Sequence, residues 1–146
     1  MGKKIVYGFL IFLILIQFIP LDRSNPPVTE EIHIPGNLKP IIQKACYDCH
    51  SNETRWPWYA YVAPISFLIV RHVQDGREEV NFSTWDKYDL DKKLDILEEI
   101  EEKVRKGKMP LKQYVWIHKD ARLTPQEKED IIRWARNYHR LLKKQL

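Results

Sequence analysis

The five residues Cys46-Tyr47-Asp48-Cys49-His50 constrain this chain more than any other stretch. They spell C-x-x-C-H, the pattern of covalent haem attachment. Two thiols separated by two residues can each bond one of the vinyl groups along a haem edge. The histidine that follows then offers an imidazole nitrogen to the iron. No other cysteine exists in the 146 residues, so a second bridge or a cluster has no thiols to draw on.

Other readings use the same residues. A thioredoxin-like redox pair belongs beside a βαβ pattern, and the chain has none. Half of a zinc site would need two histidines, yet His33, His50, His72, His118 and His139 never fall at the H-x3-5-H spacing. A disulfide would close a four-residue ring and restrict the unfolded chain very little. Haem attachment fits best, with zinc and dithiol chemistry behind it.

The length suits one domain behind a leader. Aromatics are plentiful at 12%, including five tryptophans, which suits a chain that wraps a large flat apolar ligand. The formal charge is +4; without Lys3 and Lys4 it falls to 22 basic against 20 acidic residues, or +2. That balance is too even for a nucleic-acid partner. The leader, 1–21, places those two lysines before an apolar run, 5–19, closed by Pro20. This matches a signal peptide or a membrane anchor. No small-residue cleavage site follows, so the reading favours an uncleaved anchor with the rest of the chain exported. Residues 22–36 hold Pro26, Pro27 and Pro35 and read as an extended tether, roughly 35 Å for a dozen residues. The third segment, 37–146, is the expected haem domain.

Within it, Leu38, Ile41, Ile42, Ala45, Cys46 and Cys49 recur at helical spacing, which puts the motif at the end of the domain's first helix. Trp56, Trp58 and Tyr59 follow directly and are candidate pocket wall. A second helix is expected over 65–74, closed by Asp75-Gly76 and carrying His72. Asn81 to Trp85 reads as a loop covering a haem edge. Leu90, Leu94, Leu97, Ile100 and Val104 mark a helix ending at Gly107. Met109-Pro110 comes next; its thioether is the usual partner of histidine on the iron of electron-transfer cytochromes. The only other methionine is the initiator. His72, then His118, are the alternative distal ligands. Thr124-Pro125-Gln126-Glu127 caps a last amphipathic helix.

This order resembles the small mono-haem c-type cytochromes, whose first and last helices cross beside the haem. It is more similar still to a family of exported bacterial haem-binding domains. The shared stretches are CYDCHSN at 46–52, WPWY at 56–59, APIS at 63–66, HVQDGR at 72–77, NFSTW at 81–85 and Met109-Pro110. The resemblance covers about residues 20–142. It implies an all-α, cytochrome c-like bundle of about four helices around one haem c, bonded through Cys46 and Cys49, with a hydrophobic leader helix. It also implies assembly outside the bacterial cytoplasmic membrane.

The expected function is a membrane-tethered electron carrier on the periplasmic side of the inner membrane, with His50 and Met109 on the iron and redox proteins as partners. A cleaved leader would leave it soluble in the periplasm. The alternative is a ligand-binding, sensing or peroxidase-like haem protein with an open distal site near His72 and Arg71. A plainer third reading is an assembly module stabilised by haem.

Overall fold

The computed structural model describes residues 2–144, and its regular elements are all helical, with no strand among the described residues and one isolated bridge between Glu30 and Thr84. The outermost ends of the expected leader and haem domain, residue 1 and residues 145–146, lie outside the described residues. The N-terminal segment read as a leader forms α1 (Gly2–Leu15) and runs on as a 3-10 turn, Ile16–Phe18. None of its side chains is buried. At about 1.5 Å per residue, α1 is roughly 21 Å long, against about 30 Å of bilayer hydrocarbon. No helix among the described residues is long and apolar enough to cross a membrane.

The proline-rich segment is extended, as its residues dictate, but it is not a free tether. Thr29 donates its N–H to the Ser83 carbonyl at 3.0 Å, Ile32 to Phe82 at 2.8 Å, and Glu30 accepts from Trp85 at 2.8 Å. Asn52 donates to the Pro27 carbonyl, and Asn25 to Thr54. Ile32 is fully buried. The segment is a strap stitched across the domain. Prolines exclude helix without deciding whether extended backbone finds partners, and here the 81–85 loop supplies them.

After a turn at Gly36, one continuous helical stretch, α2, carries the motif. It opens as an α turn (Lys39–Ile42) with Pro40 in its first turn, widens into a π-helical segment (Gln43–Tyr47) and closes as α (Asp48–His50). The π segment holds Cys46 and ends one residue before Asp48. Such insertions re-aim side chains and cluster at functional sites. Helix α3 (Ile65–Glu79) runs through Gly76, where the sequence reading had ended it. A short α5 (Lys112–Ile117) and a 3-10 turn (Lys119–Ala121) follow α4 (Leu90–Arg105), which stops at Gly107 in the left-handed region, φ 64°. Helix α6 (Pro125–Lys143) starts with both halves of the Thr124/Glu127 capping box.

Helices α4 and α6 form the largest helix–helix contact. Their apolar stripes, among them Leu97, Val104, Ile131 and Ala135, meet Ile42 of α2 in one core. Lys44 of α2 pairs with Glu127 of α6, so the first and last domain helices do meet. The acidic face of α4 is partly engaged, since Arg136 of α6 bonds Glu101 at 2.8 Å. Trp85 also faces this core rather than the solvent. It is almost fully buried and donates to the Tyr138 hydroxyl at 3.2 Å.

Candidate functional site

The end of α2 lies against the last turns of α3. His50 donates from Nδ1 to the Gly76 carbonyl at 2.8 Å and lies 3.2 Å from that of Val80. Both acceptors are carbonyls, so the proton sits on Nδ1 and Nε2 keeps its lone pair. Burial holds the ring's pKa below its ordinary value, which keeps it neutral and able to ligate. Phe82 packs behind the ring, centroids 6.1 Å apart, and its N–H donates to the His50 carbonyl at 2.8 Å. The 81–85 loop thus backs the histidine from the core side instead of covering an exposed edge.

Contact between the two helices is backbone to backbone. A Cβ added at Gly76 would stand 2.6 Å from the Cys49 carbonyl oxygen and 3.1 Å from Cys49 Cβ. Only glycine admits α3 this close. Glycine inside an amphipathic helix costs about 1 kcal/mol against alanine, and that cost was the signal of close approach available in the sequence.

Cys46 and Cys49 are both free and half-buried. Burial, reinforced by the neighbouring Cys49, pushes the Cys46 thiol up to about 12; burial and Asp48 push Cys49 up to about 11. These are the opposite of the lowered values a dithiol redox site needs. In the haem-free chain at pH 8, Cys49 is therefore expected to alkylate with iodoacetamide on the order of a hundredfold more slowly than an ordinary thiol, and Cys46 more slowly still. Rates rise with pH only above the usual thiol range, and urea removes the difference. Mass spectrometry of quenched samples measures both rates; full-speed labelling of the folded chain would overturn the assignment.

Asp48, inside the motif, gathers the aromatic face beside it. Its carboxylate accepts from the Arg55 backbone at 3.1 Å and from the Tyr114 hydroxyl at 2.7 Å. Burial, with the Asp48 bond, raises the Tyr114 phenol above its ordinary value. Tyr114 stacks on His118 with centroids 4.4 Å apart, His118 Nε2 shares a hydrogen bond with the Tyr59 hydroxyl, and Trp58 stands edge-on to Tyr59. Trp58 and Trp116 are 76% and 81% exposed. Two surface clefts, one between the strap and α6 and one between 20–22 and α3, include none of the three motif residues. The motif borders this open aromatic face instead.

Each remaining candidate has a definite place. Trp56 is half-buried, and its buried Nε1 has no acceptor among the described residues. Met109 is half-buried in the loop after α4, its N–H reaching the Lys103 carbonyl at 3.3 Å. His72 is half-buried on α3, one turn before Gly76. His118 already spends Nε2 on Tyr59.

Sequence reasoning did not single out Arg77, Asn52, Asn81 and Ser83 for their true work. Arg77 bonds the Ser51 carbonyl at 2.8 Å, the Ser24 carbonyl at 3.0 Å, Asn25 at 2.8 Å and Thr54 at 2.9 Å. Asn81 donates to Asn52 at 2.7 Å, and Ser83 accepts from the Asn52 N–H at 3.0 Å. Ser51, Asn52, Thr54, Asn81 and Ser83 are buried, and these bonds satisfy them. The fingerprint residues outside the five-residue motif are therefore largely the frame that holds strap, motif and α3 together.

The residues fit a haem. Two thiols and a neutral imidazole with a free Nε2 stand at one helix end beside exposed aromatic surface, and the orphaned Trp56 Nε1 is a donor suited to a carboxylate such as a propionate. No curated protein and no solved structure matches the chain. Among protein families, the one described as the Haem-binding domain matches residues 11–137, most of the chain. The chain belongs to the Haem-binding domain family.

Proposed function

We propose that the chain carries one haem c, bonded through Cys46 and Cys49 and ligated by His50 and Met109, and serves as an electron carrier. In this reading α1 anchors it to the periplasmic side of a bacterial inner membrane, where redox proteins are its partners. The observation that carries the proposal is the His50 tautomer: Nδ1–H is engaged by the α3 carbonyls and Nε2 is left for the iron, at the end of the helix bearing both thiols. When bound, the haem supplies an iron that gains and loses one electron.

The chain's own residues do the rest. The Gly76 and Val80 carbonyls fix the imidazole's orientation, so His50 would hold a haem iron without having to reorient. Gly107 ends α4, and the Lys103 carbonyl holds the Met109 backbone. Were its thioether on the iron, Met109 would exclude exogenous ligands and raise the reduction potential. Trp56 Nε1 would be available to a haem carboxylate, and Trp58 and Tyr59 would offer aromatic surface to the macrocycle.

The test is spectroscopic. Exported protein should gain the mass of one haem, show no spectral change under carbon monoxide when reduced, and carry a ferric sulfur-to-iron charge-transfer band. Met109→Ala should lose that band and bind carbon monoxide. Rapid carbon monoxide binding by the unmutated protein would overturn the carrier in favour of an open distal site near His72.

A further inference from the structure

The end of the leader is latched to the domain. The Gln17 side-chain amide makes both hydrogen bonds to one residue's backbone, donating to the Ala63 carbonyl at 3.1 Å and accepting the Ala63 N–H at 2.9 Å. Six residues on, Arg23 donates to the Ala60 carbonyl at 2.8 Å and lies over the Tyr61 ring, 4.7 Å from its centroid. The strap's stitches follow. From Gln17 to Ile32 no stretch is long enough to let the domain swing away from α1.

The surface at this latch is apolar. Tyr61, Val62, Ile65 and Leu68 are 57%, 44%, 50% and 54% exposed. Ile65 and Leu68 lie one helical turn apart on the side of α3 away from buried Ser66, Val70 and Val73. An apolar patch of several large side chains marks a surface that something covers. Its position identifies the cover. It adjoins the exit of a helix none of whose apolar side chains is buried, and that helix is short. With its 3-10 extension α1 reaches about 27 Å, a few ångströms under the hydrocarbon thickness. A short span is relieved when flanking residues enter the interface, and tyrosine beside arginine is favoured at that depth.

We propose that the face formed by Tyr61, Val62, Ile65 and Leu68 is seated in the lipid headgroup–acyl boundary, so that the haem domain lies docked on the bilayer and does not range on a tether. This rests on the membrane-anchor reading of α1.

The test uses the full-length, haem-loaded chain in vesicles of phosphatidylethanolamine and phosphatidylglycerol. Benzoylphenylalanine replaces Phe9 on α1, Leu68 on the proposed face, or exposed Glu98 on α4, and peptides are weighed after illumination. Lipid adducts at Phe9 and Leu68 but not at Glu98 are expected. Adducts at Phe9 alone, or a Leu68 adduct with a second copy of the chain, overturn the docked face and leave the anchor standing. Adducts at neither position remove the anchor, and the inference with it. A haem spectrum altered by the Leu68 replacement overturns the proposal by making the face part of the haem wall. Gln17→Ala with Arg23→Ala should cause a several-fold loss of the Leu68 adduct while Phe9 is unaffected; an unchanged Leu68 adduct would overturn the latch.

Discussion

Gly76→Ala is expected to cost the protein about 3 kcal/mol or more and most of its haem. The added methyl group would meet the Cys49 carbonyl at 2.6 Å, closer than two such atoms ever approach. Neither side can yield cheaply, because the obstacle is backbone in the helix that bears both thiols. Relief requires α3 to move away from α2. That movement also withdraws the Gly76 carbonyl from His50, so the imidazole loses the bond that fixes its tautomer. Thermal melting and the haem absorbance of exported protein measure the two consequences together. Gly36→Ala is the control, since nothing lies within 4 Å of a Cβ there. Equal melting temperatures for the two variants would show that the helices do not meet as described.

The second large effect is at Arg77. Arg77→Lys is expected to destabilise the domain by about 2–3 kcal/mol, even though the charge is kept. One ammonium cannot reach Ser51, Ser24, Asn25 and Thr54 at once, as the planar fork does. The Ser51 carbonyl, in a fully buried residue directly after His50, would be left short of a donor. The strap should also loosen first, because two of the four bonds hold its start. Urea denaturation gives the stability, and limited proteolysis should nick residues 22–30 of the folded variant far faster than those of the parent. Full rescue by lysine would reduce Arg77 to a surface charge.

The five-residue motif was legible because C-x-x-C-H is a pattern of adjacent residues that can be read whatever surrounds it. Helices α4 and α6 were legible for a similarly local reason, their apolar periodicity and end signals lying within the helices themselves. What escaped was everything settled by a partner far along the chain. Gly76 read as a helix stop because a glycine that ends a helix and one that admits a neighbour look alike in sequence. The strap read as a tether because its prolines exclude helix and say nothing of Ser83 or Phe82, some fifty residues on. Asn52, Asn81 and Ser83 lay in the shared stretches without any spacing that told their role; each is explained only by the others.

The position of His50 at the carboxyl end of α3 has an electronic consequence. Its Nδ1 proton points at the negative pole of a four-turn helix, and no side chain among the described residues accepts from the ring. The accumulated peptide dipoles draw on that proton and make the opposite nitrogen a stronger donor, as a carboxylate partner does for metal-binding histidines. The main chain supplies this push, and the nearby Glu79 carboxylate adds to it, so substituting a more distant acid or base leaves the imidazole's donor strength in place.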